Sequence, residues 1–174
     1  MSRRLIVVGR GATAERVAEL AGRLGYDELQ VVEEIPTLAA TDHVVIAADD
    51  ATAGREMLRD AMKEAVVPAY LGYAAPHREG WKALVQMAAE DVDKARLDAI
   101  SAPAGVDVGA ETPDEVAIAV AAELVAVRHG RPRPSAGLPL APGPRRPLVE
   151  AHPRRLIGGR GDRDGGDDPG SHRN

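Results

Sequence analysis

Residues 5–8, Leu-Ile-Val-Val, form an unbroken apolar run that breaks off into Gly9-Arg10-Gly11-Ala12-Thr13-Ala14. A run that is apolar at every position, rather than at alternate ones, suits a strand covered on both faces. Helical periodicity follows at once: Ala14, Val17, Ala18, Leu20, Ala21 and Leu24 share one face, and Gly25 supplies a stop. A buried strand, a glycine turn and an amphipathic helix in succession point to a parallel α/β fold.

The rest of the chain repeats the alternation. Residues 29–32 and 44–47 read as a second and a third strand, each followed by a pair of acids, Glu33-Glu34 and Asp49-Asp50. Residues 51–65 read as a helix and residues 68–72 as a fourth strand, with Pro68 at its first position, where a missing donor costs little. Residues 77–89 are a helix carrying Trp81, Leu84, Val85 and Ala88; residues 94–100 are a further helical turn, and a fifth strand is expected near residues 99–102. Thr112-Pro113-Asp114-Glu115 announces the last helix, with Thr112 as N-cap, Pro113 at the first helical position and Glu115 completing a capping box. Only residues 34–43 connect the second and third strands, close to the shortest parallel crossover, so a single helical turn or an irregular loop is expected there. The fold class is α/β, a Rossmann-like small parallel sheet with helices on both faces.

Composition narrows the functions open to such a fold. With no Cys there is no disulfide, no thiolate metal site and no cysteine nucleophile. No apolar run approaches the roughly 18–20 residues that span a bilayer, and the start lacks the features of a signal peptide, so a cytoplasmic chain without membrane contact is expected. Residues 1–130 hold 13 basic and 22 acidic residues, a balance that repels phosphates and argues against nucleic acid. No Phe, one Trp and three Tyr also leave little for stacking on bases. Residues 131–174 are different, with nine Arg against one Glu and four Asp, and eight of the chain's 13 Pro. The expected organisation is a domain over residues 1–130 and a disordered Pro/Gly/Arg-rich tail over residues 131–174.

The glycine turn fits G-x-G-x-x-A. Gly9 permits the tight turn, Gly11 lets the backbone approach a pyrophosphate, and Ala14 allows close helix–strand packing. The helix N-terminus at Ala12 and Thr13 turns donors and partial positive charge toward the phosphates. Glu33, 24 residues after Gly9, is placed to bind a ribose 2′-hydroxyl and to favour NAD over NADP, with Arg10 softening that preference. The alternative keeps the glycines for packing alone. Asp49 and Asp50 suit a cap for the helix that follows better than a Mg²⁺ site. His43, His77 and His129 have no metal-ligand spacing, so no metal site is expected. No nucleophile elbow or G-K-[ST] loop is present, and the catalytic residues, if any, are unknown.

The segment Ser101-Ala-Pro-Ala-Gly-Val-Asp-Val-Gly-Ala-Glu-Thr-Pro-Asp-Glu-Val-Ala-Ile-Ala-Val-Ala-Ala-Glu-Leu-Val-Ala-Val-Arg128 resembles the C-terminal signature of the xanthine dehydrogenase accessory (XdhC/CoxI) family. Pro103, Gly105, Asp107, Gly109, Thr112, Pro113, Glu115, Ala117, Ala121, Glu123 and Arg128 carry the likeness, and Pro68-Ala-Tyr-Leu-Gly72 resembles the family's A-Y-I-G strand. Three places differ: Ala48-Asp49 stands where the family reads T-H, Tyr73-Ala-Ala-Pro-His77 where it reads G-S-R-R-K, and Ala12 where it often has His. The resemblance implies a Rossmann-type maturation protein that assists delivery of the molybdenum cofactor to a molybdenum hydroxylase of the xanthine or carbon monoxide dehydrogenase type.

Glycine turn and resemblance together nominate Gly9, Arg10, Gly11, Ala12, Thr13, Glu33, Ala48, Asp49, Gly72, Gly105 and Asp107 as ligand-contacting residues. Asp107 has no evident capping duty, unlike Thr112 and Glu115. The cofactor expected is NAD(P) or another nucleotide, with the molybdenum cofactor implied by resemblance only. The partner expected is a molybdenum hydroxylase subunit or another maturation protein, and a homodimer is left open. Two other readings stand beside the accessory protein. One is a small NAD(P)-dependent oxidoreductase, for which Tyr73 and His77 are the only proton-transfer candidates, each equally read as a surface residue. The other is a degenerate Rossmann module that acts through protein contacts alone.

Overall fold

A computed structural model describes residues 3–131. The expected disordered tail therefore lies outside the described residues, apart from Arg131. Five strands form one parallel sheet: β1 (Arg4–Val8), β2 (Glu28–Val32), β3 (His43–Ala47), β4 (Tyr70–Ala74) and β5 (Ile100–Ser101), in the order β2-β1-β3-β4-β5. The helices are α1 (Ala12–Ala21), α2 (Ala51–Lys63), α3 (His77–Ala89), α4 (Lys94–Asp98) and α5 (Pro113–Arg128). The fourth strand lies two residues later than its sequence pattern suggests, so Tyr73 and Ala74 are strand residues.

Alternation along β1 sorts the two cores. Leu5 and Val7 face α1 and α5, where they pack with Ala14, Val17, Val45, Val120 and Leu124. Ile6 and Val8 face the opposite layer, meeting Val44, Ile46, Leu58, Leu71, Leu84 and Met87 of β3, β4 and helices α2 and α3. All four β1 side chains from Leu5 to Val8 are fully buried, and each such burial stabilises by about 1.5–3 kcal/mol. In place of a crossover helix, residues 33–42 run as an irregular loop. Buried Leu38 plugs that loop into the Ile6–Val8 core and does the covering a helix would otherwise do. The loop is held by Asp42, which accepts from the Ala39 amide at 2.7 Å and from Arg4 Nε and Nη2 at 3.1 and 2.6 Å.

With so few aromatics, the two largest buried side chains are tyrosines, and each is seated on a glycine. A Cβ on Gly54 would lie 2.8 Å from the Tyr73 ring, and one on Gly72 would lie 2.4 Å from the Tyr70 hydroxyl. Tyr73 is thus a core residue rather than a surface one, because Gly54 of α2 opens a slot above β4. The last helix begins as its capping box predicts: the Glu115 amide donates to Thr112 Oγ1 at 3.3 Å, and the Thr112 amide donates to Glu115 Oε2 at 2.9 Å. Among the described residues no helix is long and apolar enough to cross a membrane.

Candidate functional site

In an open parallel sheet a crevice forms at the carboxyl ends of the strands where the chain reverses its direction of travel. The order β2-β1-β3 places that point between β1 and β3. A cleft of about 450 Å³ opens there, lined on one side by Arg10, Gly11, Glu33 and Glu34, and on the other by Ala48, Asp49 and Asp50. Ala53 and Met57 of α2 form its apolar wall.

The glycine turn is built for close approach. Gly9 has φ 132° and its amide donates to Val32 O at 2.8 Å, while a Cβ there would lie 1.9 Å from Ala47 O. Gly11, with φ 105°, is the N-cap of α1, and no side chain of its own satisfies the helix's first amides. That duty falls to a residue 37 positions away: the Ala12 amide donates to Asp49 Oδ2 at 3.2 Å. Asp50 caps its own helix, accepting from the Ala53 amide at 2.7 Å. The two adjacent acids therefore cap two different helices, where the sequence pattern suggested one. Glu33 follows the last residue of β2 and is ion-paired across the cleft mouth with Arg10, and both side chains are exposed.

The nominated residues fall into two groups. Arg10, Gly11, Glu33, Ala48 and Asp49 line the cleft, with Gly9, Ala12 and Thr13 in the turn beside it. Gly72, Gly105 and Asp107 do not line it. Gly72 lies under the Tyr70 ring, Gly105 is wedged against Ala119 of α5, and Asp107 is exposed on the loop between β5 and α5. Tyr73, the oxidoreductase candidate, is buried with its hydroxyl 3.4 Å from Ala51 O, and burial pushes its pKa up. His77 is exposed at the start of α3.

A polar centre that the sequence reading did not nominate sits inside the fold. Glu123, fully buried in the middle of α5, accepts from Tyr70 Oη at 2.9 Å, Ser101 Oγ at 2.8 Å and the Gly105 amide at 2.5 Å. It ties α5 to β4, to β5 and to the loop that bears Asp107. Its sequence signal is a single acid within Ala117–Val127, a stretch otherwise made of Ala, Val, Ile and Leu. The opposite ends of the strands hold a second cluster. Tyr26 Oη lies 2.7 Å from His43 Nδ1, and burial pushes the Tyr26 pKa to about 12 and the His43 pKa down. Asp42 beside them is pushed up by burial, but its hydrogen bonds from Arg4 and Ala39 win and hold it below the usual carboxylate range. That end faces away from the cleft.

The family model for the XdhC Rossmann domain matches residues 5–124. Among curated proteins, the chain is 28% identical over 154 residues to the uncharacterized protein YqeB of Escherichia coli K12, covering 76% of this chain and 28% of that one. The chain thus spans little more than a quarter of that relative's length. Among solved structures it is similar to a protein described as a xanthine dehydrogenase from Bacillus halodurans. The TM-score is 0.56 at 18% identity, over 77% of this chain and 45% of that one. At that identity the likeness is one of fold.

Proposed function

This chain belongs to the XdhC Rossmann-domain family, and from that premise we propose that it is a non-catalytic accessory protein that assists maturation of a molybdenum hydroxylase. Its part is to hold a nucleotide-bearing ligand in the cleft between β1 and β3 and to help deliver the molybdenum cofactor to a hydroxylase subunit or a further maturation protein. The observation that carries this reading is the Gly9–Gly11 turn at the switch point, with two positive-φ glycines, Gly9 held against the Ala47 carbonyl and Gly11 facing the Asp49 carboxylate.

The molybdenum cofactor enters this reading as cargo. Its phosphate or nucleotide portion would lie against Gly11 and the N-terminus of α1, in the place that the Asp49 carboxylate fills in the free chain. For the metal end the chain has no Cys, and among the described residues no cluster of three His, Asp or Glu is placed to hold an ion. Once delivered, the cofactor would supply redox chemistry in the recipient enzyme; this chain's residues bind and orient.

A thermal-shift series with NAD, NADP, FAD, CTP and molybdopterin nucleotides tests the reading. A stabilising nucleotide is expected, and the shift should vanish in Gly11→Val, whose side chain meets the Asp49 carboxylate and the phosphate path. A folded Gly11→Val that binds as well as the natural chain would refute it. Contact-only action has one observation in its favour: Ile118 and Val125 are exposed at one-face spacing on α5. That alternative gains if no nucleotide shifts the transition.

A further inference from the structure

A helix N-terminus that binds phosphate does so with amides left free for the ligand. At α1 the chain fills that place itself. The Ala12 amide donates to Asp49 Oδ2 at 3.2 Å. A Cβ built on Gly11 would lie 2.1, 2.3 and 2.7 Å from Oδ2, Cγ and Oδ1 of Asp49, so the whole carboxyl group rests against the one glycine a pyrophosphate must approach. The neighbouring charges do not relieve the conflict. Glu33, Glu34 and Asp50 add to the negative side of the cleft, and Arg10, its one cation, is already paired with Glu33.

Resting on the reading of this cleft as a nucleotide site, we propose that Asp49 is its specificity-determining residue. The Asp49 carboxylate stands in for a ligand phosphate at the N-terminus of α1, and a nucleotide enters by displacing it from Ala12 and Gly11. Phosphate and carboxylate compete for the same amide and the same face of Gly11, and like charges at that distance repel. Asp49 therefore sets a threshold that favours ligands bringing further contacts with the cleft walls over free phosphate or pyrophosphate.

The test is calorimetric titration of the full chain with NAD. Asp49→Asn keeps the size and the acceptor for Ala12 but removes the charge, and it should bind NAD at least tenfold more tightly than the natural chain. Asp50→Asn removes the same charge from the same cleft but not from Ala12, and should gain no more than about threefold. Equal gains in the two variants would reduce the effect to general cleft charge and overturn the assignment. Measurable binding with no gain in Asp49→Asn overturns the assignment while leaving the nucleotide reading in place. No binding by either protein, of NAD or of any nucleotide in the thermal-shift series, overturns both. If Asp49→Asn fails to fold, the Ala12 amide resonance of the natural chain decides. It must shift as NAD binds, and a stationary Ala12 signal at saturation refutes the displacement.

Discussion

Replacing Glu123 with Leu should be among the most damaging single changes in the described domain. Leucine matches the site in size and suits a helix, so the change isolates the loss of an acceptor. Three donors then lose this acceptor in the interior: Tyr70 Oη, Ser101 Oγ and the Gly105 amide, now 2.9, 2.8 and 2.5 Å from the carboxyl oxygens. Each lost hydrogen bond costs about 1–3 kcal/mol, and allowing for relaxation around Tyr70 and Ser101 the sum is about 3–6 kcal/mol. Set against the roughly 5–15 kcal/mol that holds a domain together, that is a large share of the whole. At ~3–6 °C per kcal/mol for a domain of this size, the melting temperature should fall by more than about 10 °C. Glu123→Gln is the control. Its carbonyl can keep the Tyr70 and Gly105 donors while its NH₂ faces Ser101, whose hydroxyl can turn to accept, so its loss should stay below about 2 kcal/mol. Urea unfolding followed by circular dichroism and by the fluorescence of Trp81, the chain's one tryptophan, gives both values. A loss below about 1 kcal/mol in Glu123→Leu, or equal losses in the two variants, would refute the view of Glu123 as the acceptor that joins α5 to the sheet.

Gly72→Ala tests the same network from its other side: the added methyl would sit 2.4 Å from Tyr70 Oη. It should push that hydroxyl off Glu123 and cost about 1–3 kcal/mol by thermal melting, despite being a glycine-to-alanine change in a strand. His43 predicts a pH dependence. Burial lowers its pKa from the ordinary 6.5, so the neutral form is the folded form; its stabilising contribution is complete above pH 6.5 and is lost as pH falls through the depressed value. The melting temperature should decline as pH drops below about 6.5, and the slope should flatten in His43→Gln; an unchanged slope would remove His43 from the account. Glu33→Ala should narrow any preference for NAD over NADP measured by titration, because it removes an acid from the cleft mouth and releases Arg10 for a 2′-phosphate. A preference that stays the same would show that the ribose lies elsewhere.

The local elements were legible in the chain itself. An apolar run, a G-x-G turn and helical periodicity are short-range patterns, and they place β1, α3 and the start of α1 within a residue of where they form, although α1 gives way at Gly22 to a 3-10 turn over Gly22–Leu24. The Thr112–Glu115 capping box involves residues three apart, so its geometry follows from the sequence without knowledge of the rest. The two adjacent acids after β3 show where that legibility ends. As sequence, Asp49 and Asp50 are equivalent cap candidates for the same helix; in the fold one of them reaches across to Ala12, because strand order sets the end of β3 beside the end of β1. Glu123 is the same lesson in the core. Periodicity assigns it to a helix face, but its partners lie 18, 22 and 53 residues away, and only the packing of α5 on β4 and β5 brings them together. Gly72 carries no mark separating a ligand contact from a seat for Tyr70, since a missing side chain serves both. Sequence determined which segments become strands, helices and turns, through interactions spanning a few residues. The sheet order and the burial it enforces decided which charges meet, because that depends on contacts between segments far apart along the chain.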